Sequence, residues 1–234
     1  NNASKIIFLS KFSKNIISKN LKKKLSYNII YHGIEDNIKK IGNKNLIDCS
    51  WKYSLKKKIR LIYVSPLFHY KNHLTVAKAY SRLKKRYNNL DLKFVGNYSN
   101  NMKLYNDILN SNNSINKSHF LGEMTHKNVI KLLSRSDIFI FASSSETFGI
   151  SLVEAMALGM PIVCSNKSSL PEILQNGGLY FNPKNDLQLS NQIEIFIKDK
   201  SLRKRKSEKA KNISLRYSWD DNVKQFCNLI NNFS

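Results

Sequence analysis

The chain has 234 residues, 41% of them hydrophobic, and a formal net charge of +23, enough for one large domain, or one and a half smaller ones, with a sizeable core. No apolar run is long enough to span a bilayer, no export-signal pattern opens the chain, and the three cysteines (Cys49, Cys164, Cys227) have neither a disulfide-framework nor a zinc spacing. A scattered, odd count points to a reducing, cytoplasmic setting. The 39 Lys and Arg against 16 Asp and Glu raise a nucleic-acid reading. These cations are spread along the chain among asparagines and do not alternate with stacking aromatics, so no specific nucleic-acid binding is expected. The excess reads equally as solvated lysines without a partner, or as an aid to peripheral contact with an anionic inner membrane face or a phosphorylated substrate.

Apolar runs of strand length begin at Ile6–Leu9 and Asn28–Tyr31. They continue at Ile59–Val64, Leu92–Val95, His119–Leu121, Ile138–Phe141, Ile162–Cys164 and Leu179–Phe181. Segments of helical period lie between most of them, such as His73–Tyr87 and Asn128–Ser134. This alternation predicts an α/β fold with a Rossmann-like parallel sheet and helices on both faces. Residues 35–58 break the rhythm: they are polar, lysine-rich and aperiodic, and are expected to form a junction. Residues 1–34 before it hold only two strands and one helix and read as the tail of a larger unit. After Asn185 the strands stop and helices take over. The last, Trp219–Asn231 within 216–234, has Val223, Phe226, Cys227 and Ile230 on one face.

The most informative stretch is SDIFIFASSSETFGISLVEAMALGMPIVCSN, Ser136 to Asn166. Ile138–Phe141 predicts a buried strand, Ala142–Thr147 a small polar loop and Phe148–Leu158 a helix with Ile150, Val153, Met156 and Ala157 inward. Gly159 and Pro161 end that helix. Ligands of such sheets bind beyond the carboxyl ends of the strands. The backbone N–H groups of Phe148, Gly149 and Ile150 are expected to face an anion there, aided by the helix dipole, and Gly149 permits close approach of a phosphate. Carboxylates at Glu146 and Glu154 can accept from the paired hydroxyls of a sugar or ribose. On spacing alone, Glu146 reads equally as a helix cap and Glu154 as a surface residue.

ETFGISLVE resembles the Glu-x7-Glu motif of family 4 glycosyltransferases, and EAMALGMPIVCSN continues in that family's style. LIYVSPLFHYKN resembles the first strand and basic loop of the family's C-terminal domain. HFLGEMTHKNVIKLLSRSDIFIFASSSE resembles the approach to the motif, LPEILQNGGLYFNPKNDLQLS its sequel and YSWDDNVKQF the Trp-bearing final helix. The resemblance runs from about Leu61 to Phe226. It implies the C-terminal half of a two-domain GT-B architecture, with the active site in the cleft. Residues 1–34 would then be the tail of the N-terminal acceptor domain, 35–58 the linker, 59–215 the domain holding the nucleotide-sugar, and 216–234 a helix returning towards the N-terminal domain. The N-terminal domain would be mostly absent, as in a fragment.

By the same resemblance Glu146 contacts the transferred sugar, Lys71 neutralises the diphosphate, and Phe148, Gly149 and Ile150 offer amides to it. Glu154 binds the ribose, and Gly122 and Met124, with Leu121 an equal candidate for plain core, pack on the base. Pro66 stands where the family often has an Arg, which removes a second phosphate cation. His32, in YHGIE, reads as a structural residue of the hinge; His69, His73 and His126 are assigned no chemistry. The implied reaction is retaining transfer of a hexose-type sugar from a UDP-, GDP- or ADP-sugar donor to a saccharide or lipid-linked acceptor, in cell-surface polysaccharide or glycolipid synthesis. Front-face departure and attack is favoured, since no carboxylate stands out as a covalent nucleophile. No metal and no cofactor is expected, in keeping with the lack of an Asp-x-Asp. The alternative is a donor-binding pseudoenzyme or an incomplete, inactive fragment.

Overall fold

The computed structural model describes residues 5–20, 26–44, 54, 57–111 and 114–231. Its centre is a parallel sheet of β3 (Ile59–Val64), β4 (Leu90–Val95), β5 (Ile138–Phe141), β6 (Ile162–Ser165) and β7 (Leu179–Phe181) in the order β4-β3-β5-β6-β7. Every pairing is parallel, with register such as Tyr63 to Phe94 and Ile140 to Val163. The IFIF of β5 and IVCS of β6 are buried throughout, the near-continuous apolar pattern of strands covered on both faces. The covering helices are α3 (His73–Lys84), α4 (Met102–Ser111), α5 (His126–Leu133), α6 (Ile150–Ala157), α7 (Leu170–Leu174), α8 (Asp186–Lys198) and α9 (Lys200–Ser214). They bury apolar stripes such as Val76, Ala77, Tyr80 and Leu83 of α3 and Leu189, Ile193, Phe196 and Ile197 of α8, a helical period matched to the sheet beneath.

A second, two-stranded parallel sheet pairs β1 (Lys5–Phe8) with β2 (Ser26–Ile29), with α1 (Lys11–Ser18) between them in sequence. One carboxylate joins this unit to the larger one. Glu172, on α7, accepts from the N–H groups of Lys11 (2.8 Å) and Phe12 (2.9 Å) and from the Tyr31 hydroxyl (2.8 Å). It thus satisfies two of the donors that open α1, where a negative charge is favoured. The last helix, α10 (Trp219–Asn231), is tied back by the Asn222 amide donating to the Tyr31 carbonyl (2.7 Å) and by a parallel bridge from Ile34 to Ser218.

Several expectations are corrected. The stretch 35–58 is not aperiodic throughout: Asp36–Lys44 forms α2, with Ile38 buried and Lys211 donating to the Gly42 carbonyl (2.9 Å). Its polar face masked the short apolar stripe. Most of 45–56, with Cys49, lies outside the described residues. His119–Leu121 is not a strand; His119 closes a 3-10 turn, Lys117–His119, and Phe120 makes only an isolated bridge to Phe94. The helix expected from His73 to Tyr87 ends at Lys84, and that expected from Asn128 starts two residues earlier, at His126. The expected inner face of α10 is open: Val223, Phe226 and Ile230 are exposed, and Leu229 is the buried residue.

Candidate functional site

The strand order reverses at β3, with β4 on one side and β5 on the other. A crevice opens beyond the strand ends at such a switch point, and a cavity of about 620 Å³ lies there. Its walls come from the ends of β3 (Val64 to Pro66), β4 (Val95 to Asn97) and β5 (Phe141), the loop into α6, and Leu9 and His32 of the smaller unit. The floor is tight because Gly96 has φ 141°, and a Cβ there would meet the Ser65 carbonyl oxygen at 2.3 Å.

Lys71 ends a 3-10 turn (His69–Lys71) after β3. The turn is fixed from three directions. The buried Tyr63 hydroxyl donates to the Lys71 carbonyl (2.6 Å), and the Ser144 N–H donates to the Tyr70 carbonyl (2.7 Å). Asn72, left-handed at φ 54°, donates through its side-chain amide to the carbonyls of Tyr70 and Ala142 and to the Ser144 hydroxyl. The lysine loop is therefore bound to the β5–α6 loop, and the Lys71 ammonium forms an ion pair with Glu146. Glu146 is itself held through its backbone: its N–H donates to the Ser168 hydroxyl (3.1 Å), and its carbonyl accepts from Ser169 (3.0 Å).

The helix begins later than the sequence suggests. Gly149, at φ 91°, is the residue before α6, because its left-handed turn lets the chain enter the helix with no Cβ against Leu170, which would stand 3.3 Å away. Among the described residues no hydrogen bond occupies the N–H groups of Phe148, Gly149, Ile150 or Ser151. The amides of Gly149, Ile150 and Ser151 border the cavity at the positive end of the helix dipole. The Phe148 ring turns away from solvent and packs between Tyr31, His32 and Tyr217 at centroid separations of 6.2, 5.5 and 5.4 Å. His32 lies between Phe148 and Trp219 and also lines the cavity.

Glu154 is neither solvated nor a surface residue. It is the fifth residue of α6, its side chain 8% exposed, and its Oε1 lies 2.6 Å from His126 Nε2. His126 and Glu154 both line the cavity. His126, given no role from sequence, joins the cavity wall beside Glu154. Thr125 ahead of it marks a helix start, but which residue of α6 that start faces is a matter of tertiary register. His73, taken for a polar-stretch residue, is buried against Tyr63 and Phe94, and burial holds its imidazole down to about 3. Burial likewise pushes the Tyr63 phenol and the Cys164 thiol up, so both stay neutral behind the cavity.

The structure thus brings together Lys71, Glu146, Phe148, Gly149, Ile150, Glu154 and Met124, with Pro66 beside them. It does not bring Gly122 into the lining. That glycine sits at φ 75° and accepts from the Gly96 N–H (2.9 Å), while its neighbours Glu123 and Met124 form the wall. Leu121 is exposed, so it is not plain core, and it also lies outside the lining. Among the described residues no group of three or more His, Cys, Asp or Glu side chains could hold a metal ion, and no helix is long and apolar enough to cross a membrane. Cation, free amides and two carboxylates in one pocket suit an anion carrying a hydroxyl-rich neighbour.

Comparison with known proteins bears on the family and the fold. The chain is 29% identical over 233 residues to an uncharacterized glycosyltransferase of Methanocaldococcus jannaschii, covering 96% of this chain and 57% of the relative. It is 30% identical over 109 residues to the O-antigen chain mannosyltransferase B of Escherichia coli, covering 47% of this chain and 29% of that one. The Anabaena protein HepE, solved in complex with UDP and glucose, superposes with a TM-score of 0.82 at 19% identity over 98% of this chain and 63% of its own. That likeness shows the fold: an α/β half of a GT-B architecture. The chain spans little more than half the length of its archaeal relative. The model of the family described as glycosyl transferases group 1 matches residues 48–213, and the chain belongs to that family.

Proposed function

We propose that this chain is the donor-binding half of a retaining, family 4 type glycosyltransferase. It carries a hexose-type sugar from a UDP-, GDP- or ADP-sugar to a saccharide or lipid-linked acceptor in cell-surface polysaccharide or glycolipid synthesis. The observation that carries the reading is the convergence of Lys71, Glu146, the open amides before α6 and Glu154 on one cavity at the sheet's switch point. The relatives add support: one is named an O-antigen mannosyltransferase, and a structural neighbour binds UDP and glucose.

In this reading the diphosphate sits on the amides of Gly149 and Ile150, with Phe148 behind them, and on the Lys71 ammonium. Negative charge grows on the leaving diphosphate as the glycosidic C–O bond breaks, and fixed dipoles and one cation stabilise it without reorganising. Glu146 accepts from hydroxyls of the transferred sugar and Glu154 from the ribose; Met124 forms the wall for the base. The acceptor attacks from the face the diphosphate leaves, with no metal, which gives retention. Residues 1–34 belong to the acceptor-side domain, 35–58 connect, 59–215 bind donor and 216–234 return across the cleft. The protein works in the cytoplasm, with its basic surface near the anionic inner membrane face.

Titration calorimetry with UDP, GDP and ADP tests the reading. Binding of one of them, weakened by Lys71→Ala, is expected; a folded sample that binds none refutes it.

A further inference from the structure

We propose that His126 is a positioning residue that holds the Glu154 carboxylate in the orientation needed to recognise a ribose diol, and so sets the preference for ribo- over deoxyribonucleotides. The inference rests on the proposed donor site and adds to it a residue that selects between ligands.

Glu154 is a buried carboxylate on a helix that faces the cavity. A glutamate has three rotatable side-chain bonds, and ordering them costs conformational entropy. A carboxylate that must meet two adjacent hydroxyls at once benefits from having that cost met before the ligand arrives. His126 does this. Its Nε2 lies 2.6 Å from Glu154 Oε1, and because an ionised carboxylate can only accept, the ring N–H donates. On the other side of the ring Nδ1 lies 3.7 Å from Glu35 Oε1, beyond hydrogen-bond distance, and pairs with it only when the ring is protonated. Glu35 directly precedes α2 and follows the Tyr31–Ile34 stretch that packs on Phe148 and Tyr217. The imidazole therefore bonds the carboxylate in the cavity and stands beside the segment joining the two sheets.

With Oε1 engaged by His126, Oε2 has no partner among the described residues, and Oε1 keeps one further lone pair. Two acceptor sites side by side fit two vicinal hydroxyls. Without the imidazole, the carboxylate swings, and a ligand lacking one hydroxyl loses less relative to the full ribose. His126 is about half exposed at the first position of α5, so its replacement removes this restraint without opening the core.

The test compares dissociation constants for UDP and 2′-deoxy-UDP, or the GDP or ADP pair if that base binds tighter, in the wild-type chain and in His126→Ala, His126→Gln, Glu154→Gln and the His126→Ala/Glu154→Gln double variant. His126→Ala is expected to cut the ribo-over-deoxy ratio by about tenfold, the low end of the loss seen when a residue orienting a metal ligand is removed. His126→Gln, which keeps an N–H donor at the same reach, is expected to restore most of it. Adding His126→Ala to Glu154→Gln is expected to change the ratio no further, because the histidine acts through the carboxylate. An unchanged ratio in His126→Ala overturns the inference, and so does an effect of His126→Ala that persists undiminished in the Glu154→Gln background. If the wild-type chain binds no nucleoside diphosphate, the donor-site reading falls and this inference with it. If the wild type binds and discriminates while His126→Ala discriminates equally, the inference alone falls.

Discussion

Replacing Glu146 with Gln separates two roles that the Lys71–Glu146 ion pair combines. By the family resemblance, Glu146 serves the sugar and Lys71 the diphosphate, so loss of Glu146 would leave free diphosphate binding nearly intact. The structure changes that expectation. The Lys71 and Glu146 side chains are 12% and 15% exposed and paired with each other, so the cation assigned to the diphosphate already has an anion beside it. Two unit charges about 4 Å apart at an effective dielectric near 20 interact by about 4 kcal/mol, most of which offsets the desolvation of the pair. A net gain of about 1–2 kcal/mol becomes available to an incoming phosphate when the carboxylate is neutralised. Glu146→Gln is therefore expected to bind free diphosphate about fivefold to thirtyfold more tightly, while turnover in the full-length enzyme falls because the sugar's acceptor loses its charge. Lys71→Ala is expected to weaken diphosphate binding, and the double variant to lose the gain. Calorimetry at fixed ionic strength on the four proteins gives the cycle. A Glu146→Gln variant that binds diphosphate more weakly than wild type would refute the reasoning, since the carboxylate would then be supporting the phosphate site directly.

Two further predictions concern stability. His73 has an ordinary unfolded-state value of about 6.5 and is held down to about 3 when folded, chiefly by burial. Between those values the unfolded chain binds the extra proton. The stability linked to the neutral ring is therefore complete above about pH 6.5 and falls by about 1.4 kcal/mol per pH unit on acidification towards pH 3; urea unfolding of His73→Phe from pH 7 to 4 should give a shallower slope than wild type, and equal slopes would contradict this. Glu172→Ala leaves the Lys11 and Phe12 N–H groups and the Tyr31 hydroxyl without their acceptor, at a cost of about 1–3 kcal/mol, with faster hydrogen exchange in α1; unchanged exchange there would show that the carboxylate does not hold the two units together.

What could be read from the sequence was whatever depends on neighbours along the chain. The alternation of apolar runs gave β3, β5, β6 and β7 to within a residue or so, because strands of a covered parallel sheet leave a near-continuous apolar signature, and the helical apolar period gave α10. The serine-rich loop and Gly149 marked the ligand end of the sheet for the same local reason. The failures were tertiary. The Glu146 loop is aimed at Lys71 by Asn72, Ser144, Ser168 and Ser169, whose hydrogen bonds join segments as far as 72 residues apart. His126 faces Glu154 because the fold brings the first residue of α5 to the fifth residue of α6, which no periodicity encodes. Gly122 was assigned to the base pocket from its motif, yet its backbone braces Gly96 and leaves Met124 as the wall. The exposed apolar stripe of α10 shows the limit from the other direction: amphipathicity predicts a buried face, and here Val223, Phe226 and Ile230 remain open.

The most direct test of the account is the structure of this chain with a bound nucleoside diphosphate, chosen from UDP, GDP and ADP by affinity. The account predicts phosphate oxygens within hydrogen-bond distance of the Gly149 or Ile150 N–H and of the Lys71 ammonium, with both ribose hydroxyls on the Glu154 carboxylate and the base against Met124. A nucleotide bound elsewhere, or one in this cavity whose ribose does not touch Glu154, would contradict it.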